Sequence, residues 1–145
     1  MTIEDIAPGK DGRTPVQVVM DYLADMNALE LWAFPKVMPP TPGAFEPVKV
    51  RAAAIRARHC TPRAQNVWAG SPAVSSPPTN NPATTVVVEV VGTSAGRVRV
   101  TTIETDQGLS MTNEYVFQRI SGNWRLNSRA YPRDAPDSPR LAISL

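Results

Sequence analysis

Apolar residues recur every three or four positions in the first 60 residues, whereas runs of β-branched and aromatic residues fill positions 84 to 131. The first spacing is typical of amphipathic helices, and β-branched runs between turn residues are typical of strands. The chain is therefore predicted to contain two N-terminal helices, one short strand and then four consecutive antiparallel strands. Helices segregated from a meandering sheet indicate an α+β domain.

The first helix is predicted to run from Val16 to about Phe34. Thr14 can cap its free backbone N–H groups, Pro15 is tolerated at the first helical position, and Pro35 is expected to end it. No glycine or proline interrupts this segment, and its apolar stripe comprises Val16, Val19, Leu23 and Met26.

A second helix is predicted from about Val48 to His59. Its apolar positions repeat at intervals of four, three and four residues and are Val48, Ala52, Ile55 and His59. The sequence Cys60-Thr61-Pro62 ends this helix, because a residue before proline avoids the helical region. Gln65 to Ala69 is predicted as a short strand, and the segment from Ser71 to Pro82, rich in Pro, Ser and Asn, as a loop suited to binding.

Thr84 to Val91 is predicted as the first strand of a hairpin that turns between Gly92 and Gly96. With Gly92 facing Arg97, three pairs are expected: Val86 with Ile103, Val88 with Thr101, and Val90 with Arg99. Both faces of the strand are apolar, so it is expected in the centre of the sheet or against a partner. Asp106-Gln107-Gly108 is predicted to turn the chain into the next strand.

The segment from Asn113 to Tyr131 is predicted to form the last hairpin. Gly122-Asn123 suits a two-residue type II′ turn, which places Ser121 opposite Trp124. One face then carries Tyr115, Phe117, Trp124, Leu126 and Ala130, and the other carries Glu114, Gln118, Arg125, Asn127 and Arg129. The apolar face is expected to pack against Leu23 and Met26, because a strongly curved sheet around the first helix would bury its aromatic side chains.

Residues 1–13 are expected to be a flexible leader, because Pro8-Gly9 and Asp11-Gly12 break regular structure. Residues 14–145 are expected to form a single domain, since a chain of 145 residues can bury a core without disulfides or a structural metal. Within this domain, Pro132 to Pro139 is predicted to be irregular, and Arg140 to Leu145 to be a short tail able to dock at a sheet edge.

The composition indicates the class of protein but does not indicate an activity. The chain is 42% apolar and 19% charged with one cysteine, and it contains no apolar run of about 20 residues that would span a bilayer. Its first 13 residues are not expected to act as a signal peptide, because no apolar run follows a basic region. We therefore expect a soluble cytoplasmic protein without an internal disulfide.

The net charge of the chain is small, but acidic and basic residues are segregated along it. The net charge of +2 is too small to indicate a nucleic-acid partner. Residues 1–30 carry two basic and six acidic groups, net −4, whereas residues 31–68 carry six basic and one acidic group, net +5. Packing of the basic segment near the acidic one is the simplest explanation.

Several short motifs, distributed over most of the chain, carry a resemblance to a known family. They are Tyr22-Leu23, Met26-Asn27 and Glu30 in the first helix, Arg58 to Arg63, Ser71-Pro72, Tyr115 to Phe117, and Gly122 to Arg125. Together with the order of elements, they resemble the immunity proteins of bacterial polymorphic toxin systems that have the cone-shaped, nuclear transport factor 2-like fold. The chain departs from that group before Glu30, where a tryptophan is expected and Leu29 stands; Trp32 follows two residues later.

The resemblance implies a cone-like curved antiparallel sheet of about four to five strands packed on N-terminal helices. It also implies a protein that is not an enzyme, and that binds a cognate toxin domain and occludes its active site or substrate access. The residues expected to contact the toxin are Asp21, Asp25, Glu30, Trp32, Trp68, Ser71, Asn80 and Asn81. A homodimer through the outward sheet face is a further expectation, whereas nucleic-acid and membrane partners are not expected.

Patterns for catalysis or metal binding are sparse. His59 is the only histidine and Cys60 the only cysteine, so no His-based dyad, multi-histidine metal site or cofactor is expected. Some proteins of the cone fold move a proton with a carboxylate; Glu89 and Glu104 remain open for this role, with solvation or pairing to arginine as the favoured interpretation. The alternative function is therefore a small-molecule enzyme or carrier that uses the interior of the cone.

Overall fold

Three helices precede an open sheet of four antiparallel strands in the computed structural model, which describes residues 6–70, 72–94 and 96–131. The elements are α1 (Pro15–Val37), α2 (Glu46–His59), α3 (Pro62–Val67), a 3₁₀ turn (Pro82–Thr84), β1 (Thr85–Ser94), β2 (Arg97–Asp106), β3 (Leu109–Ile120) and β4 (Asn123–Ala130). The strands lie side by side in chain order. The fold is α+β, as predicted, and the segments Pro132 to Pro139 and Arg140 to Leu145 lie outside the described residues.

The helix α1 begins as predicted and ends later than predicted. The Thr14 hydroxyl accepts a hydrogen bond from the Gln17 amide, and the Gln17 side chain accepts one from the Thr14 amide. The prediction that Pro35 ends the helix is wrong, because the helix continues to Val37. Pro35 lies in the last turn, where its missing N–H removes one hydrogen bond, and burial of Val37 holds that turn against the core.

The end of α2 is tied to the sheet. The helix ends at His59 as predicted, and the Thr61 amide donates to the Leu126 carbonyl of β4 over 2.9 Å. The short strand predicted at Gln65 to Ala69 is wrong, because the chain continues as α3. Thr61 caps this helix by accepting from the Ala64 amide, and the proline that follows Thr61 suits the first helical position.

The strand β1 lies at the edge of the sheet, so the central position predicted for it is wrong. Its Val86 and Val88 side chains are 61% and 51% exposed. Val86 pairs with Ile103 as predicted, but a bulge after Val87 shifts the later pairs by one residue. Those pairs are Glu89 with Thr101, Val90 with Val100, and Val91 with Arg99.

The turn between β3 and β4 is formed by Ser121-Gly122, one residue earlier than predicted. Both residues have positive φ, 52° and 83°, as in a type I′ turn rather than type II′. Trp124 consequently pairs with Arg119 instead of Ser121, a displacement of two residues. Because strand side chains alternate with a period of two, this displacement leaves the predicted faces near the turn unchanged.

A bulge in β4 changes which residues face inward farther from the turn. Asn127 is the extra residue, so that Tyr115 pairs with Arg129 and Glu114 pairs with Ala130. The prediction that Arg129 faces outward and Ala130 inward is therefore wrong. The Arg129 guanidinium lies over the Tyr115 ring, 5.2 Å from its centre.

The inner face of the sheet packs against α1, as predicted. Tyr115, Phe117 and Trp124 are buried in one apolar cluster with Leu23 and Met26. Other members of this cluster are Val18, Val19, Tyr22, Leu29, Val98, Val100 and Leu126. Complete burial of each large apolar side chain contributes about 2 kcal/mol, so this face is the main source of stability.

Residues 6–13, expected to belong to a flexible leader, contact the β3–β4 hairpin. Ile6 is buried, and the Ala7 carbonyl accepts a hydrogen bond from Trp124 Nε1 over 2.9 Å. The Lys10 amide donates to the Gly122 carbonyl over 3.0 Å. These contacts place the segment across the end of the hairpin.

The Ser121→Asn substitution is expected to raise the free energy of unfolding by about 0.5 kcal/mol. Serine is strained at the positive φ of Ser121, whereas asparagine tolerates that region and Asn-Gly is the preferred type I′ pair. Urea denaturation monitored by tryptophan fluorescence measures the change. Ser121→Val is the opposite control and is expected to lower the free energy of unfolding; a stabilising valine would contradict the assigned turn.

Candidate functional site

The eight residues expected to contact a partner do not form one surface. Three of them are partly exposed on α1, namely Asp21, Asp25 and Trp32. The other four described residues are Glu30, which is on α1 but buried, the buried Asn80, the cap residue Asn81 of the 3₁₀ turn, and the half-buried Trp68 that follows α3. Ser71 lies outside the described residues.

Glu30 anchors the loop between α3 and β1 from inside the protein. Its side chain is 0% exposed. Its carboxylate accepts hydrogen bonds from the Ser75, Thr79 and Asn80 amides over 3.4, 3.2 and 3.0 Å, and from the side chains of the same three residues. A buried carboxylate requires such donors. Glu30 therefore holds the loop, and in this structure it offers no surface to a partner.

Asn80 and Asn81 are engaged by contacts within the protein. The Asn80 carbonyl accepts from Asn27 Nδ2 of α1 over 2.8 Å. Asn81 Oδ1 accepts from the Ala83 amide over 3.0 Å and thereby starts the 3₁₀ turn. The two asparagines therefore fix the end of the loop between α1 and β1.

A groove between α1 and α2 brings Asp25 and Trp32 toward one surface. The groove has a volume of about 380 Å³ and is lined by Asp25, Ala28, Leu29, Arg51, Ala54, Ile55 and Arg58. Asp25 forms an ion pair with Arg58 over 3.0 Å. Trp32 lies against the groove residue Arg51, whose guanidinium is 3.6 Å from the ring centre, and Lys36 Nζ lies 4.7 Å from the same ring. These cation–π contacts hold the indole in place.

His59 connects this groove to the N-terminal segment. Its Nε2 lies 2.6 Å from Asp25 Oδ2, and its Nδ1 lies 3.0 Å from the Arg13 guanidinium. A guanidinium can only donate, so Nδ1 accepts and Nε2–H donates to Asp25, which is the neutral imidazole. The expectation that no histidine dyad forms is therefore wrong; Asp25 and His59 are far apart in sequence, and no local motif connects them. Arg13 also pairs with Asp21 over 3.2 Å.

A second concavity, the Glu104 cavity, lies between the loop at residues 72–80 and the strands β2, β3 and β4, and has a volume of about 340 Å³. Glu104 is 9% exposed in its wall. Its Oε2 accepts from the Thr102 hydroxyl over 2.8 Å, from the Tyr115 hydroxyl over 2.9 Å and from the Asn113 side-chain amide. Its Oε1 accepts from Arg129 over 3.0 Å.

The favoured interpretation of Glu104, a solvated carboxylate or one paired with Arg97, Arg99 or Arg125, is wrong. It holds for Glu89, which is exposed and lies 3.4 Å from Arg99. The bulge in β4 places Arg129 beside Glu104, and a bulge leaves no clear trace in a sequence. The available signal was the recurrence of polar residues at alternate positions on two inward strand faces, in Thr102-Ile103-Glu104 and Asn113-Glu114-Tyr115.

The buried hydroxyl and thiol groups of the interior are protonated at neutral pH. Burial raises the pKa of Tyr115 well above its usual value, with Glu104 adding to the effect and Arg129 opposing it. Burial raises the pKa of the Cys60 thiol to about 12, so Cys60 is not a thiolate nucleophile. The Tyr115 phenol is therefore a hydrogen-bond donor to Glu104.

Comparisons with known proteins identify no relative: no protein-family model, curated protein or solved structure matches the chain. Within residues 6–70, 72–94 and 96–131, no group of His, Cys, Asp and Glu side chains is arranged to hold a metal ion. No helix in the same ranges is long and apolar enough to cross a bilayer. The geometry of the chain and its motifs are therefore the basis for a functional assignment.

The Glu30→Gln substitution is expected to speed hydrogen exchange at the Ser75, Thr79 and Asn80 amides by at least about tenfold. Glutamine loses the charge and one acceptor oxygen, and a hydrogen bond to a charged group contributes about 1.5 to 3 kcal/mol. Mass spectrometry of peptides from residues 72–81 measures the exchange. Glu46→Gln is the matched control, because Glu46 is exposed and contacts Lys49. Unchanged protection in Glu30→Gln would contradict the anchoring role.

The free energy of unfolding is expected to fall as the pH is lowered from about 7.5 to about 5.5. Burial of the ring lowers the pKa of His59; Asp25 opposes this effect, and the charges of Arg13 and Arg58 add to it. The unfolded chain, in which histidine titrates near pH 6.5, therefore binds more protons in this range. The contribution of neutral His59 is complete above about pH 6.5 and is lost progressively toward its lower folded pKa.

Denaturation of the wild-type protein and of a His59→Gln variant across this pH range measures the effect. Glutamine keeps a donor for Asp25 and an acceptor for Arg13 but does not titrate. The wild-type slope is expected to be positive and at most about 1.4 kcal/mol per pH unit, and the variant is expected to lose it. A variant that retains the full slope would assign the titration to another group.

Proposed function

We propose that this protein is an immunity protein that binds a cognate bacterial toxin domain through the α1–α2 groove and occludes the toxin's active site or substrate access. The motifs that resemble this class include Tyr22-Leu23 and Met26-Asn27 on α1 and the segment Arg58 to Arg63, which begins at the end of α2. Two of the nominated residues, Asp25 and Trp32, lie at the groove or beside it.

The observation that carries the proposal is the combination of an exposed, mostly apolar groove with a fixed tryptophan and fixed charges. Leu29 and Ile55 give the groove an apolar wall, while Arg51 holds the Trp32 indole. Tryptophan and arginine dominate the binding energy of many protein interfaces, and anchors that are already ordered lose less side-chain entropy on binding. A complex centred here would bury about 1,600 Å² in total if it has the standard size.

The Ala28→Arg substitution is expected to weaken the toxin complex at least tenfold, or by about 1.4 kcal/mol, and to abolish protection. Ala28 is exposed and lines the groove, so a long charged side chain there fills the space that a partner would occupy. Ala24→Arg is the matched control, because Ala24 is exposed one turn earlier on α1 and lies outside the groove.

Co-expression with the cognate toxin domain tests both variants, with protection read as colony survival and affinity by calorimetry on the purified pair. If the wild-type protein forms no complex and gives no protection, the proposed immunity function is wrong. If Ala28→Arg binds and protects as well as Ala24→Arg does, the groove is not the interface although the function stands.

The Glu104 cavity favours a second candidate, a small-molecule carrier or enzyme that uses the interior of the cone. The cavity places a buried carboxylate next to Tyr115, and its volume of about 340 Å³ is within the range of small-ligand sites. Binding of a small molecule in this cavity, without any toxin, separates this candidate from the first.

A further inference from the structure

The residues that line the Glu104 cavity include apolar, uncharged polar and charged side chains. Met26 of α1 and Met111 of β3 lie on the lining, as do Pro72 and Ala73 of the loop. Glu104, Asp106 and Arg129 supply its charges. A ligand with an apolar body and one polar end therefore matches the chemistry of the lining better than a wholly polar ligand does.

The charges of the lining are unbalanced toward the negative. Glu104 and Arg129 form an ion pair over 3.0 Å, and their side chains are 10% and 12% exposed. Asp106, at the end of β2, is half-buried and has no ion-pair partner among the described residues. Two carboxylates against one guanidinium leave the lining with a charge of −1, and low-dielectric walls strengthen the field of that charge inside the cavity.

The hydrogen-bonding capacity of the network is not exhausted. Asn113 Oδ1 is buried without a hydrogen-bond partner within the described part of the chain, although the other end of the same amide donates to Glu104. Glu104 Oε1 accepts one hydrogen bond, from Arg129, whereas Oε2 accepts three. Both oxygens are acceptors that a donating ligand can satisfy, whereas Arg129 Nε, a buried donor without a partner among the described residues, belongs to the guanidinium that already pairs with Glu104.

We propose that the Glu104 cavity binds a small planar organic cation with N–H donors, such as an amidinium or guanidinium group on an apolar body. The charged end lies toward Asp106 and Glu104, and the apolar body lies between Met26 and Met111. This inference deepens the second candidate function and rests on the cavity being a ligand site at all. It is independent of the α1–α2 groove, which is lined by other residues.

Thioether side chains suit such a ligand. Methionine is flexible and polarizable, and it makes favourable contacts with aromatic rings. Met111 is 43% exposed, so its side chain is free to move against a bound ring, whereas Met26 is buried in the apolar cluster. The two methyl groups are therefore reporters of occupancy, one from an exposed and one from a buried residue of the lining.

Three probes of the same size and shape separate charge from fit: benzamidine, which is cationic, benzamide, which is neutral, and benzoate, which is anionic. Each is titrated into the full chain labelled with ¹³C at the methionine methyl groups. Benzamidine is expected to shift the Met26 and Met111 signals saturably, with a Kd at least about fivefold below that of benzamide and about tenfold below that of benzoate. The Met38 signal, from the end of α1, is the internal control.

The Asp106→Asn variant is expected to weaken benzamidine binding about threefold or more and to leave benzamide binding unchanged. Asp106 lies outside the hydrogen-bond network of Glu104, so the variant is expected to fold. Glu89→Gln is the matched control, because it removes an exposed carboxylate on the outer face of the sheet. If benzamidine affinity falls to the same degree in both variants, the effect is not local to Asp106 and the proposed cation site is overturned.

Two other results overturn the inference in distinguishable ways. If no probe shifts the Met26 and Met111 signals saturably, the cavity is not a ligand site, and the second candidate function fails together with the proposed cation. If benzoate or benzamide binds as tightly as benzamidine at these signals, the cavity binds ligands but the preference for a cation is wrong. Neither result bears on binding of a toxin at the groove.

Discussion

Burial of the inner sheet face against α1 is the constraint on which the rest of the structure depends. Tyr115, Phe117 and Trp124 fill that face, and a shift of one residue in either strand would move them to solvent. Two distant segments form hydrogen bonds to this hairpin. The segment after the C-terminal end of α2 bonds to Leu126, and residues 6–13 bond to Trp124. The hairpin therefore fixes the positions of elements far from it in sequence.

The chemistry of the inner face changes along the strands. Val98 and Val100 near the start of β2 are apolar, whereas Thr102 and Glu104 farther along are polar and are buried as well. At the polar end the loop joins α1 in lining the Glu104 cavity, and Glu30 holds that loop in place. A single helix thus seals the apolar part of the sheet and supports the wall of the Glu104 cavity.

The fold class, the order of the major elements and the core face of the last hairpin could be predicted, because each depends on local patterns or on a period of two. The faces near the last turn were predicted correctly although the turn was misplaced, because a displacement of two residues keeps each strand side chain on the same face. Arg129 could not be placed, because a bulge at Asn127 reverses the alternation and depends on packing across the sheet. Glu30 and the Asp25–His59 pair also depend on distant contacts, with loop partners 45 and more residues from Glu30.

The buried pair of Glu104 and Arg129 is a costly way to fill the end of a sheet. Removing two charges from water opposes much of their attraction, and apolar residues of similar volume often stabilise a protein as well or better. The same face accommodates Val98, Val100 and Phe117 without any charge. Stability alone therefore does not account for a carboxylate with four donors beside an open cavity, and this supports the proposed recognition of a cationic ligand there.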